Sequence, residues 1–153
     1  MKHHPFDYDA KPTKQELFDR VVEFFAQPET VKCTASTGAF SGCVYTNRQT
    51  GQHCAIGYML PQEALDTIGE RRGDLNRMNA MFPGVMPAWA KDKGNLALLG
   101  ELQAIHDYSG AWFHPIKGEP MRPNPPRVVL ELASVAIKNK LKFEGFTDEV
   151  PSV

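Results

Sequence analysis

Cysteine is scarce in this chain of 153 residues, and the three present, Cys33, Cys43 and Cys54, are an odd number with no C-x-x-C spacing. That excludes a paired disulfide framework and predicts thiols in a reducing compartment. No apolar run approaches the length that spans a bilayer. The opening "MKHHPFDYDAKPTKQ" has none of the apolar stretch a signal peptide needs, so the expected location is cytoplasmic, with no membrane partner. Charge of one sign is missing too. Seventeen Lys and Arg stand against eighteen Asp and Glu, a net charge of -1, which offers no cationic field for a nucleic-acid backbone. P-loop, GxGxxG, GxSxG and HExxH motifs are all absent, which removes the nucleotide, hydrolase and metalloprotease readings that announce themselves by motif. No cofactor is expected.

What is present is an ordinary globular balance, 42% hydrophobic and 23% charged, long enough for one domain over 1–153. Residues 1–11 read as a loose tail, 142–153 as a docked or loose tail, and 114–126 as a proline-rich connector. Thr13 and Glu16 form a capping box ahead of a helix whose stripe is Leu17, Val21, Phe24 and Phe25, ended by Pro28. The stretch from Val31 to Gly57 has strand texture. Its segments Cys43–Tyr45 and Gln52–Ala55 are expected to pair as a hairpin around "TNRQTG", with Cys43 and Tyr45 on one face. Pro61 opens a short helix capped by Gly69. A weakly helical piece and a Pro/Gly-interrupted loop holding Trp89 follow. A leucine-rich helix, with Asn95 as its N-cap, then ends in "IHD". The last helix begins near Asn124, Pro125 and Pro126 and is apolar nearly all round, so burial on every side is expected. The fold class is α+β: a small antiparallel hairpin or meander packed against four or five helices.

Two blocks of residues carry a resemblance. Cys43, Tyr45, Gly51, Cys54, Ala55, Ile56, Gly57, Leu60 and Pro61 match a C-x-Y…G-x-x-C-A-I-G-x-x-L-P hairpin. Leu102, Gln103, His106 and Asp107 match an LQ-x-x-HD helix end, and Trp112 follows. Over residues 15–112 the chain resembles a group of small uncharacterised proteins of tailed phages and prophages. It departs from them at Tyr58, where relatives often carry another cysteine, and in the proline-rich stretch and last helix. The resemblance implies a phage-type source and no particular activity.

The sharpest chemical candidate is Cys54 as nucleophile, with His106 as base and Asp107 to orient it. A thiol becomes nucleophilic beside a base, and a helix C-terminus favours an imidazolium. Gln52 is a candidate oxyanion donor. Against this, Cys54 reads as a strand residue followed by the apolar "AIGYML", and a small apolar role in the core is the default. The default for His106 and Asp107 is a helix-end contact that fixes the next loop. Zinc on Cys43, His53, Cys54 and His106, with Cys33 as a further candidate ligand, is disfavoured by spacing, because Cys43 and Cys54 are eleven apart and His53 and Cys54 point to opposite faces. No metal is expected. Tyr45, His53, Trp89, His106 and Trp112 are the candidate ligand- or partner-binding residues. Trp89 on its loop is the preferred surface anchor, whereas Trp112 has a core role as its default. The arginines of "GERRGDLNR" and "PMRPNPPR" read as solvated ion-pair partners.

The leading functional expectation is a phage-type accessory protein that binds a host or phage protein, or a small ligand. A non-catalytic inhibitor of host defence is one form of it. The alternatives are a hydrolase or transferase using Cys54 and His106, and a structural homo-oligomer completed by the last helix.

Overall fold

A computed structural model describes residues 2–34, 44–114 and 119–146. Helix α1 spans Lys14–Ala26 and starts where the sequence places it. The Thr13 hydroxyl accepts from the Glu16 N–H at 3.1 Å, and the Glu16 carboxylate accepts from the Thr13 N–H at 3.3 Å. The helix buries Leu17, Phe18, Val21, Phe24 and Phe25.

The hairpin is real but short: β1 is Thr46–Asn47 and β2 is Gln52–His53, antiparallel, with Thr46 opposite His53. The Asn47 side chain accepts from the N–H groups of Gln49 and Thr50, and Gly51 takes a left-handed φ of 71°, so the turn is held by its own residues. Cys43 lies outside the described residues, and with it the expected Cys43–Tyr45 face. The pairing ends at Cys54 because the chain coils there into tight turns. The N–H of Tyr58 donates to the Cys54 carbonyl at 2.9 Å and that of Leu60 to the Ile56 carbonyl at 3.2 Å. At Gly57 the backbone passes so close to the hairpin that a Cβ would sit 2.0 Å from the Tyr45 oxygen, and only glycine fits.

Helix α2 is Gln62–Ile68, ended by Gly69 at φ 59°. Helix α3, Leu75–Met81, is capped by the Asp74 carboxylate, which accepts from the Arg77 N–H at 2.9 Å. A single helical turn, α4, Ala88–Lys91, occupies what the sequence presents as an open loop. Helix α5 is Lys93–Asp107, and its cap is Asp92, accepting from Gly94 and Asn95, so Asn95 falls inside the helix and not at its cap. Helix α6 is Pro125–Asn139. Among the described residues this makes a small α+β fold of six α-helices and one two-stranded sheet, one or two helices more than the pattern predicts.

The α5 helix is the central element, touching α1, α3, α4 and α6. It buries Leu98, Leu99, Leu102, Ile105 and His106. Only one stripe of α6 faces inward, Val128, Leu132, Val135 and Ala136. Leu130 is 62% exposed and Ile137 80% exposed. This corrects the expectation of burial on every side, since a helix laid on the outside of its neighbours can cover only one face.

Both presumed tails are docked where they are described. The N-terminal segment 3–6, the strap, lies beside the turns: the N–H of His4 donates to the Tyr58 carbonyl at 3.3 Å and that of Phe6 to the Met59 carbonyl at 2.9 Å. Near the other end, the Lys142 N–H donates to the Gln15 side chain at 2.8 Å and Phe143 packs on Phe18. Residues 147–153 lie outside the described residues, as do 115–118 of the connector. The rest of the connector returns against Ala111–Phe113, with the Phe113 N–H on the Arg122 carbonyl and the Asn124 N–H on the Ala111 carbonyl, both at 2.8 Å. Among the described residues no helix is long and apolar enough to cross a membrane.

Candidate functional site

His106 is fully buried in the last turn of α5. Its Nε2 accepts from the backbone N–H of Cys33 at 3.4 Å, and its Nδ1–H donates to the Asp107 carboxylate at 3.1 Å. One nitrogen accepting and the other donating defines a neutral imidazole of one tautomer. Burial lowers its pKa, with Asp107 opposing that shift. The ring packs edge-on against Trp112 at 5.2 Å and tilts against Phe24 at 6.0 Å. The Trp112 indole N–H closes the corner by donating to the His106 carbonyl at 2.7 Å. The chain after α5 therefore turns back on the helix end it has just left.

Cys54 is also buried, and its Sγ accepts from the Gly57 N–H at 3.2 Å. Its backbone N–H donates to the Tyr45 carbonyl at 3.1 Å, where it serves the end of the hairpin. The cysteine whose backbone His106 engages is Cys33, which stands outside the nucleophile set read from the sequence. Cys33 Sγ in turn donates to the Gln52 carbonyl at 3.4 Å.

The candidate binding residues Tyr45, His53, Trp89, His106 and Trp112 are all buried. Tyr45 reaches through the core to donate its hydroxyl to the Gly73 carbonyl at 2.9 Å. Its pKa is raised, first by burial and then by the neighbouring Cys54. Trp112 is buried in the core, the default role for it. Trp89 is the main correction: expected on an exposed loop, it is only 3% exposed, because α4 turns the indole inward against Phe6 at 5.8 Å.

His53 is the residue of that set that borders open space. A cleft of about 550 Å³ lies between the strap, the hairpin and α2, lined by His3, Asn47, Arg48, His53, Gln62 and Asp66 among others. His3 is held by its Nε2 on the Leu60 carbonyl at 2.8 Å, and its ring lies on that of His53 at 4.6 Å. Burial, with His3 beside it, lowers the His53 pKa to about 4. Burial lowers that of His3 too. Both imidazoles are therefore uncharged at neutral pH, and the charges on the cleft wall are Arg48 and Asp66. Arg48 donates to the Asp66 carbonyl at 2.6 Å, which docks the hairpin turn onto α2, and within that helix Gln62 donates to the Asp66 carboxylate at 2.8 Å.

Three buried side-chain atoms have no hydrogen-bond partner among the described residues: His53 Nδ1, Asn79 Oδ1 and Trp89 Nε1. Each such atom costs about 1–3 kcal/mol of desolvation left unrecovered. Among the described residues no group of three or more His, Cys, Asp and Glu is placed to hold a metal ion. Sequence reasoning misses His3, Arg48, Gln62 and Asp66 as cleft residues. No local signal marks them, since they come from three separate segments and His3 sits in a stretch that reads as tail. Compared with family models, curated proteins and solved structures, the chain matches none.

Proposed function

We propose that this protein acts by binding and not by turnover, as a phage-type accessory protein whose partner, a host or phage protein or a small ligand, engages the face formed by the strap, the hairpin and α2. The observation that carries the reading is the commitment of His106: both ring nitrogens are occupied, one by the Cys33 N–H and one by Asp107. A general base needs a free nitrogen within reach of the thiol it activates. The strap–hairpin–α2 cleft, in contrast, gathers polar groups from three segments beside open space, which is what a recognition site requires. Inhibition of a host defence protein is one form of this function that fits a phage source.

Two measurements test it. Cys54 and Cys33 should react with a thiol reagent at neutral pH only as fast as the protein unfolds; rapid, stoichiometric modification of Cys54 in the folded protein would restore the nucleophile reading. Native mass spectrometry of the protein with its captured partner should show retention that falls when Arg48→Ala and Asp66→Ala remove the two charged side chains of the cleft. Unchanged retention would overturn the site. A second reading, homo-oligomerisation through α6, draws support from the exposed Leu130 and Ile137. It requires a solution mass well above 17.1 kDa.

A further inference from the structure

We infer that the strap is a displaceable occupant of a groove whose guest is an extended, basic-aromatic segment of a partner protein, an inference that rests on the binding function proposed above. The main-chain pattern comes first. His4 and Phe6, alternate residues of an extended segment, donate their N–H groups to the carbonyls of Tyr58 and Met59. Pro5 stands between them, where the absence of an N–H costs the pairing nothing. Any extended segment with N–H groups at those two positions satisfies the same two carbonyls of the turns.

The side chains then specify what fits. The Phe6 ring lies between the Arg20 guanidinium, 3.9 Å from its centroid, and the Trp89 indole. His4 meets the Glu23 carboxylate at 2.8 Å, and Glu16 and Asp19 continue an acidic wall along α1 beside Phe6, three carboxylates against the single cation of Arg20. The strap and the residue before it read Lys2, His3, His4, Pro5, Phe6, so positive or donor-rich residues precede the aromatic anchor. The groove is thus complementary to a segment with basic character ahead of an aromatic residue.

What the strap covers supplies a second, independent line. Two of the three unpaired buried atoms belong to rings on which strap residues pack: His3 lies on His53 and Phe6 lies on Trp89. The Trp89 indole can only donate. A guest offering a carbonyl or hydroxyl oxygen to that N–H, and a polar partner to His53 Nδ1, would satisfy what the strap leaves bare. The chain's own segment is therefore the lesser fit for its own groove, a condition for release on encounter with a better one.

The test uses the full chain and a fluorescently labelled peptide of its own residues 2–9, Lys-His-His-Pro-Phe-Asp-Tyr-Asp, followed by anisotropy. Phe6→Ala loosens the strap in cis, and this variant should bind the peptide at least about tenfold more tightly than wild type, where the tethered strap competes at high effective concentration. A peptide with Glu in place of the Lys and both His should bind about tenfold or more weakly, through repulsion from the acidic wall. Where Phe6→Ala fails to fold, His4→Ala loosens the strap from its own side, removing its bond to Glu23 and leaving every groove residue in place. A variant that keeps its circular dichroism and a cooperative melt but shows no peptide binding overturns the inference, and so does equal binding by wild type and variant. Neither result touches the proposed binding function itself, which the Arg48 and Asp66 substitutions decide.

Discussion

Acid should unfold this protein partly through His53, and the size of the effect follows from its surroundings. In the folded state burial and the adjacent His3 ring hold its pKa at about 4, against 6.5 for the exposed side chain. Arg48 and Asp66 are the charged residues that line the same cleft. The folded pKa is depressed, so the unfolded chain takes up a proton at this position before the folded protein does. Stability is therefore complete above pH 6.5 and is lost as pH falls from there toward 4. Two and a half units at about 1.36 kcal/mol each give a loss of about 3 kcal/mol. That is a large share of the roughly 5–15 kcal/mol by which folded domains typically outweigh their unfolded chains. The discriminating variant is His53→Phe. It keeps a ring of similar size, takes up no proton, and deletes the unpaired Nδ1, so at pH 7 it should be as stable as wild type or more stable by about 1 kcal/mol. Urea denaturation at pH 7, 6, 5 and 4 provides the comparison. Near pH 5 the wild-type curve should fall more steeply than the variant's by about 1.2 kcal/mol per pH unit. His106, whose pKa is also lowered by burial, contributes in the same direction to both proteins and cancels in the difference. Parallel loss of stability in the two proteins would refute the argument, because it would mean that His53 is not held neutral by the fold.

Three further outcomes follow from single contacts. Trp112→Phe removes the indole N–H that donates to the His106 carbonyl and should cost about 1–3 kcal/mol in urea denaturation, with the loss confined to stability and no change in fold by circular dichroism. Gly57→Ala places a methyl group against the Tyr45 carbonyl and should cost about 3 kcal/mol or leave the protein insoluble; a melt within about a degree of wild type would mean the close approach is absent. Thr13→Ala opens the α1 capping box and should lower stability by about 1 kcal/mol, with Thr13→Asn restoring most of it in the same assay.

How much of this is legible in the sequence differs from element to element. The α1 start is readable because its cap, its box partner and its stripe all lie close together along the chain. The α5 body is readable for the same reason, but its cap is not: Asp92 and Asn95 are both good capping residues, and the choice depends on where α4 delivers the chain. Trp89 escapes because a window interrupted by proline and glycine carries no period, so nothing local says that one helical turn will swing the indole under Phe6. The functional candidates divide in a parallel way. His106 and Asp107 stand out as a unit, since adjacent helix-end residues meet by local geometry. Their partner is not foreseeable, because Cys33 lies 73 residues away in sequence.

By itself, then, the amino-acid sequence determines those features whose causes are local: a helical chain with one short hairpin, cysteines at no disulfide-framework spacing, no strong field of either sign, and no catalytic motif. Tertiary structure alone decides which cysteine His106 meets and which face of α6 stays bare. It also decides that a histidine from the N-terminal strap lies on His53 at the edge of a cleft. The physical reason is one of range. Capping and periodicity act over a few residues, whereas burial, desolvation and the pairing of polar groups depend on which distant segments the fold brings into contact.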